Sequence, residues 1–105
     1  MGWLSAHTSN PPCLVIDLRG PIAYRAGHIP GSMNMPSEQL DENCQFGVPF
    51  STSNRVLFVC PTGDESRLFA AFLSQRGLDC ASLSGGYIAW RRAGAPIEKS
   101  PNPKK

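Results

Sequence analysis

An α/β layer fold, with a mostly parallel central sheet flanked by helices, is the architecture this sequence predicts. Three observations predict it. Two apolar runs, Cys13-Leu14-Val15-Ile16 and Arg55-Val56-Leu57-Phe58-Val59-Cys60, lack period-two alternation, as strands covered on both faces do. A helical pattern follows the second run. A third short run, Cys80-Ala81-Ser82-Leu83, follows that helix, and strand, helix, strand, helix in this order implies crossover connections within a parallel sheet.

In chain order, Pro11-Pro12 closes a stretch rich in Ser, Thr and Asn, and the first strand runs from Cys13 to its end at Asp17. Ile22 to Arg25 begins a helical turn that Gly27 breaks, with Pro30-Gly31 a second break. Ser37 to Glu42 is a short helix with Ser37 as its cap, and Asn43 to Asn54 is loop. After the strand ending at Cys60 comes the loop Pro61-Thr62-Gly63-Asp64-Glu65, then a helix from Ser66 to about Gln75. The apolar face of that helix is expected at Leu68, Ala71, Phe72 and Leu73, and Gly77 stands where a helix end needs positive φ. Gly85-Gly86 is a turn, and Tyr87 to Arg92 a last helix stopped by Gly94 and Pro96.

At 105 residues the chain holds one domain and excludes a bilobed enzyme. A hydrophobic share of 41% supplies a packed core, which excludes disorder. Ten Lys and Arg against eight Asp and Glu leave +2, too mild for a nucleic-acid or anionic-membrane partner. The three lysines lie in a flexible basic tail at 99–105, so the folded part is near neutral. No apolar run approaches the roughly 20 residues of a membrane span, and Met1-Gly2-Trp3-Leu4-Ser5 lacks the marks of a signal peptide. The cysteines at 13, 44, 60 and 80 form no Cys-x-x-Cys pair, so neither a zinc ribbon nor a dithiol is expected, and no metal or cofactor. A reducing cytoplasm is the default setting, with a two-disulfide secreted scaffold as the alternative.

Cys60 is the residue placed for chemistry. It ends a strand, where open α/β sheets bind ligands, and it precedes a helix N-terminus whose dipole and free amides favour thiolate over thiol. Gly63 lets the loop turn its amides inward, as an anion-holding nest does. A thiolate nucleophile meeting an anionic substrate follows. The plainer alternative is a small apolar residue at the end of a buried strand, the usual role of a free cysteine.

Three segments extend the reading: Asp17-Leu18-Arg19, Gly27-His28-Ile29-Pro30-Gly31-Ser32-Met33-Asn34-Met35-Pro36, and Leu83-Ser84-Gly85-Gly86-Tyr87-Ile88-Ala89-Trp90-Arg91-Arg92-Ala93-Gly94-Ala95-Pro96. With Cys60, Thr62, Gly63, Ser66 and Ala70-Ala71 in the family's order, the chain resembles the rhodanese-like single-domain sulfurtransferases over residues 13–98. Residues 1–12 form a short N-terminal segment before it. The resemblance implies that Cys60 takes sulfane sulfur from a donor such as thiosulfate, becomes a persulfide, and passes the outer sulfur to cyanide, a thiol or a protein acceptor. It implies that the amides of Thr62, Gly63, Asp64, Glu65 and Ser66 line the site beside Pro61, with the Ser66 hydroxyl capping the helix, and that the protein acts as a monomer.

Departures matter. Many members carry cations just after the cysteine and five positions after it, where this chain has Pro61 and Glu65, and Asp64 adds a second carboxylate. Each charge repels thiosulfate by roughly 1 kcal/mol at about 4 Å in full water screening. Poor thiosulfate turnover is expected. Arg67, the nearest cation, is counted with residues 61–66 among those that bind substrate if it swings toward the loop; pairing with Asp64 or Glu65 at the surface is the favoured alternative. Ala23 replaces a common Glu, and the abbreviated N-terminus suggests a missing first edge strand and a fragment or a small member. His28 is expected to be structural, Asp17 and Arg19 to form an ion pair, and Trp90 with Tyr87 and Ile88 to pack the core. Neither Cys44 nor Cys80 is expected to resolve a persulfide.

Two other functions compete with the transferase. One is a weakly catalytic or non-catalytic interaction module presenting the acidic loop to a protein. The other is a phosphatase or arsenate reductase, which needs Cys-x5-Arg; here the sixth residue after Cys60 is Ser66, and Arg67 comes one position late.

Overall fold

The computed structural model describes residues 13–51 and 54–99. The segment 1–12, with the expected loss of an edge strand, and the tail beyond 99 lie outside the described residues. The elements run β1 (Cys13–Asp17), α1 (Pro21–Ala26), β2 (Met33–Asn34), α2 (Ser37–Cys44), β3 (Arg55–Val59), α3 (Asp64–Ser74), β4 (Asp79–Ser82) and α4 (Gly86–Arg92). The strands form one sheet in the order β2-β1-β3-β4, every pair parallel. The predicted α/β class is the observed one. Strand β2, two residues at the sheet edge, was not foreseen, because so short a strand carries no periodicity to read.

Continuous apolar strands become a two-sided core. Ile16, Val56, Phe58 and Cys60 face a cluster with Leu18, Leu40, Ala70, Leu73 and Leu78, under α2 and α3. Val15, Leu57 and Val59 alternate to the opposite face, against Ile29, Tyr87 and Trp90. Cys60 thus extends the inward phase of β3 on the α2 and α3 side. Trp90 also donates its indole N–H to the Pro96 carbonyl at 2.7 Å, so this core aromatic has its polar edge satisfied.

Three local expectations are corrected. Ser37 does not cap α2; Pro36 occupies the cap position and Ser37 is the first helical residue, with the helix running two residues past Glu42. Helix α3 starts at Asp64 rather than Ser66, because Gly63 takes the left-handed conformation at φ 96° and turns the chain into the helix at once. Its buried face is Ser66, Ala70 and Leu73, whereas Leu68 is 70% and Phe72 40% exposed. The inward spacing is i, i+4, i+7, one helical stripe rotated away from the largest apolar side chains. Gly77 takes φ 97° after α3, as expected, and the Leu78 and Gly77 amides bond back to the Leu73 and Ser74 carbonyls.

The end of β1 and the segment after α1 are braced by buried polar groups. Asp17, 1% exposed, receives Arg19 Nη2 at 2.8 Å and the Arg19 backbone amide at 3.0 Å. The same guanidinium donates to the Gly27 carbonyl at 2.6 Å and lies 3.7 Å over the Tyr87 ring. The buried His28 stacks on Tyr24 with centroids 3.8 Å apart; its Nδ1 is 2.7 Å from the Tyr24 carbonyl and its Nε2 3.4 Å from a Glu98 carboxylate oxygen. Every polar atom of that ring is engaged within the scaffold.

Candidate active site

Cys60 follows β3 directly, and the chain passes Pro61 and Thr62 to Gly63, the N-cap of α3. Two amides point at the sulfur: Gly63 N–H at 3.1 Å and Ser66 N–H at 3.2 Å. The thiol in turn donates to Ser66 Oγ at 3.3 Å. Amides of a first helical turn have no intrahelical partner, so a sulfur seated there satisfies donors that would otherwise be orphaned. Of the five amides expected to surround the sulfur, those of Gly63 and Ser66 bond to it and those of Thr62, Asp64 and Glu65 do not.

Ser66 has another role than the one expected of it. It is the third residue of α3 and makes no capping bond; α3 has no side-chain cap. Fully buried, its hydroxyl lies 3.3 Å from the Gly63 carbonyl and 2.6 Å from Ser82 Oγ. Ser82, at the end of β4, also reaches the Gly63 carbonyl at 3.4 Å. A chain of hydroxyls therefore runs from Cys60 Sγ through Ser66 to Ser82. Sequence reasoning missed Ser82, whose only signal was a hydroxyl at the end of the strand beside β3.

The turn between β4 and α4 holds the loop from behind. The Tyr87 amide donates to the Cys60 carbonyl at 2.9 Å and the Ile88 amide to the Pro61 carbonyl at 3.0 Å. Gly86, at φ 67°, lets the two segments meet; a Cβ there would stand 2.4 Å from the Cys60 carbonyl oxygen and 2.6 Å from the Gly63 nitrogen. Only glycine fits that contact.

Charge is arranged away from the sulfur. Asp64 and Glu65 are exposed in the first turn of α3, where the positive helix end stabilises carboxylates. Arg67 pairs with Asp64 at 3.3 Å on the surface, as expected, and Thr62 Oγ1 donates to Asp64 at 3.4 Å. Pro61 and Thr62 are exposed, while Cys60 is 1% exposed, so the sulfur is held by amides and closed off from bulk water at once. Cys44, Cys60 and Cys80 form no disulfide among the described residues. Burial pushes the Cys13, Cys44 and Cys80 thiols up from the ordinary range.

A family model for the rhodanese-like domain matches residues 1–93. The chain belongs to the rhodanese-like family. Among its relatives is the thiosulfate sulfurtransferase GlpE of Pseudoalteromonas translucida, 32% identical over 81 residues, which cover 76% of this chain and 74% of that protein. Solved rhodanese-like structures share the fold. A rhodanese-related protein of Thermoplasma volcanium superposes with a TM-score of 0.72 at 29% identity, over 82% of this chain and 83% of its own. A possible tyrosine phosphatase of unknown function from Rhodopseudomonas palustris gives 0.72 at 31% identity, over 91% and 79%. A thiosulfate sulfurtransferase of Pseudomonas aeruginosa gives 0.71 at 26% identity, over 96% of this chain and 19% of the longer protein. No helix among the described residues is long and apolar enough to cross a membrane.

Proposed function

We propose that this rhodanese-like chain is a sulfurtransferase that carries sulfane sulfur as a persulfide on Cys60. The observation that carries the reading is the seat of Sγ: two main-chain N–H donors and the Ser66 hydroxyl converge on one sulfur at the N-terminus of α3. The two main-chain donors so placed stabilise negative charge on sulfur without reorganising. The sulfurtransferase relatives add support.

The chemistry then follows in two displacements. The Cys60 thiolate attacks the sulfane sulfur of a donor; with thiosulfate the S–S bond breaks and sulfite leaves with its electron pair. The Cys60 persulfide keeps its outer sulfur until a nucleophile, a thiolate or cyanide, attacks that atom and the Cys60 thiolate leaves. Because Cys60 is 1% exposed, the donor has to reach a sulfur that presents almost no surface to water. Intact mass after incubation with thiosulfate and with an organic persulfide tests the proposal. One added sulfur is expected, absent in Cys60→Ser; no adduct with either donor refutes it.

The second reading, an interaction module with little catalysis, is favoured by that low exposure and by the carboxylates of Asp64 and Glu65 at the loop. It predicts that Cys60 alkylates no faster than the other three thiols. Phosphatase chemistry is not proposed: it needs a guanidinium facing the sulfur, and Arg67 is held by Asp64 at the surface.

A further inference from the structure

A groove of about 520 Å³ runs between α2 and α3, lined by Asp41 and Cys44 from one helix and Glu65, Leu68, Phe69 and Phe72 from the other. It adjoins the site in sequence and space, since Glu65 immediately precedes Ser66, whose amide holds Sγ. The floor is apolar. Leu68 and Phe72, four residues apart on one stripe of α3, stand in water, and Phe46, just past the end of α2, is 91% exposed. Unburied apolar side chains grouped beside a groove mark a contact surface.

The charges on this face are unbalanced. Asp41 and Glu65 are exposed, and neither has an ion-pair partner among the described residues, whereas Asp64 is taken by Arg67. Arg76 is the guanidinium of this side; it lies 3.8 Å over the Phe72 ring and donates to the Phe72 carbonyl, and its charge offsets one of the two carboxylates, which leaves the face net negative. A small dianion is repelled here. A peptide with apolar side chains for the floor and lysine or arginine for the two carboxylates is complementary to it.

We propose that the groove docks an apolar, cationic peptide segment of a protein that exchanges sulfur with Cys60; the exchange, though not the docking, rests on the sulfurtransferase reading. In the exchange a cysteine thiolate of the docked protein attacks the outer sulfur of the Cys60 persulfide. A new S–S bond forms on the partner, the Cys60–sulfur bond breaks, and Cys60 keeps the electron pair as thiolate. No outside oxidant or reductant is needed.

The docking is tested on Cys60→Ser, where sulfur chemistry is silent. The probe is a short fluorescent peptide with leucines and lysines around one cysteine, read by anisotropy, beside a twin with glutamates for lysines. The lysine peptide is expected to bind and the twin not to. Combined Leu68→Ser and Phe72→Ser should weaken binding at least about fivefold, Asp41→Asn about threefold, and raised salt should weaken it further. Equal binding of the twin overturns the proposal, as does unchanged binding by correctly folded groove variants. So does a dimer of this chain that dissociates on Leu68→Ser, since a second copy would then be the occupant. The exchange is tested separately, by mass, as sulfur moving from loaded wild-type Cys60 to the lysine peptide faster than to its twin. Peptide binding without a Cys60 persulfide removes the exchange and leaves the docking; a persulfide without peptide binding removes the groove and leaves the transferase.

Discussion

The hydroxyl oxygens of Ser66 and Ser82 lie 2.6 Å apart, although sixteen residues separate them in the chain. The contact joins α3 to the end of β4 and puts a second hydroxyl behind the one that touches Cys60 Sγ. When the sulfur is a thiol, S–H donates to Ser66 and Ser66 donates onward. When it is a thiolate, the chain reverses, with Ser82 donating to Ser66 and Ser66 to the sulfur.

Ser82→Ala should therefore slow Cys60 chemistry without unfolding the protein. Losing one link of this kind is worth about 1 kcal/mol, a roughly fivefold fall in the iodoacetamide rate near neutral pH. Ser82→Thr keeps the hydroxyl and should restore most of that rate. Equal slowing in both variants would assign Ser82 to packing alone.

Glu65→Gln should raise thiosulfate turnover. The carboxylate sits in the first turn of α3, and removing it lessens repulsion of a dianionic donor by about threefold to tenfold in kcat/KM, the gain shrinking as salt is added. Steady-state kinetics at low and high ionic strength measure it. A gain that ignores salt would place the effect in loop structure instead.

Gly86→Ala tests the brace behind the loop. A left-handed φ costs a non-glycine residue about 1–2 kcal/mol, and the added Cβ meets main-chain oxygen and nitrogen, which cannot swing aside. Urea unfolding should show at least that loss. Cys60 alkylation should change as well, because the displaced atoms include its own carbonyl.

Alkaline pH should destabilise the fold. Cys13, Cys44 and Cys80 are raised chiefly by burial, and burial likewise raises Tyr24, whose hydroxyl donates to the Ser32 carbonyl. A raised acid holds its proton more tightly in the folded state, so its contribution is whole below the unfolded value. It is lost as pH climbs from roughly 8.5 for thiols and roughly 10 for tyrosine. Urea midpoints should fall between about pH 7.5 and about pH 10, and less so in Cys80→Ala.

Much of this was legible from residues alone, and the failures are local. Cys13–Asp17 and Arg55–Val59 were readable as buried strands because both faces of each are covered, leaving an uninterrupted apolar run. The phase of α3 was misread because Leu68 and Phe72 look like core, yet it is Ser66 that turns inward. Its partners there are a sulfur six residues back and a serine on another strand, and hydrophobic spacing records neither. The surface pairing of Arg67 with Asp64 was readable, being a contact between residues three apart on one helix.

By itself the sequence determined the α/β class, the place of Cys60 between a strand and a helix, and the family pattern around it, because these rest on neighbours in the chain. Only the tertiary structure decided which amides reach the sulfur, that Ser82 stands behind Ser66, that Cys60 is enclosed, and that an apolar stripe of α3 faces water beside carboxylates with no ion-pair partner among the described residues. Apart from the amides, which lie within six residues of the sulfur, each of those depends on how far β4 and α2 advance toward α3. That distance is set by packing across the sheet, a sum over many remote contacts that no local pattern encodes.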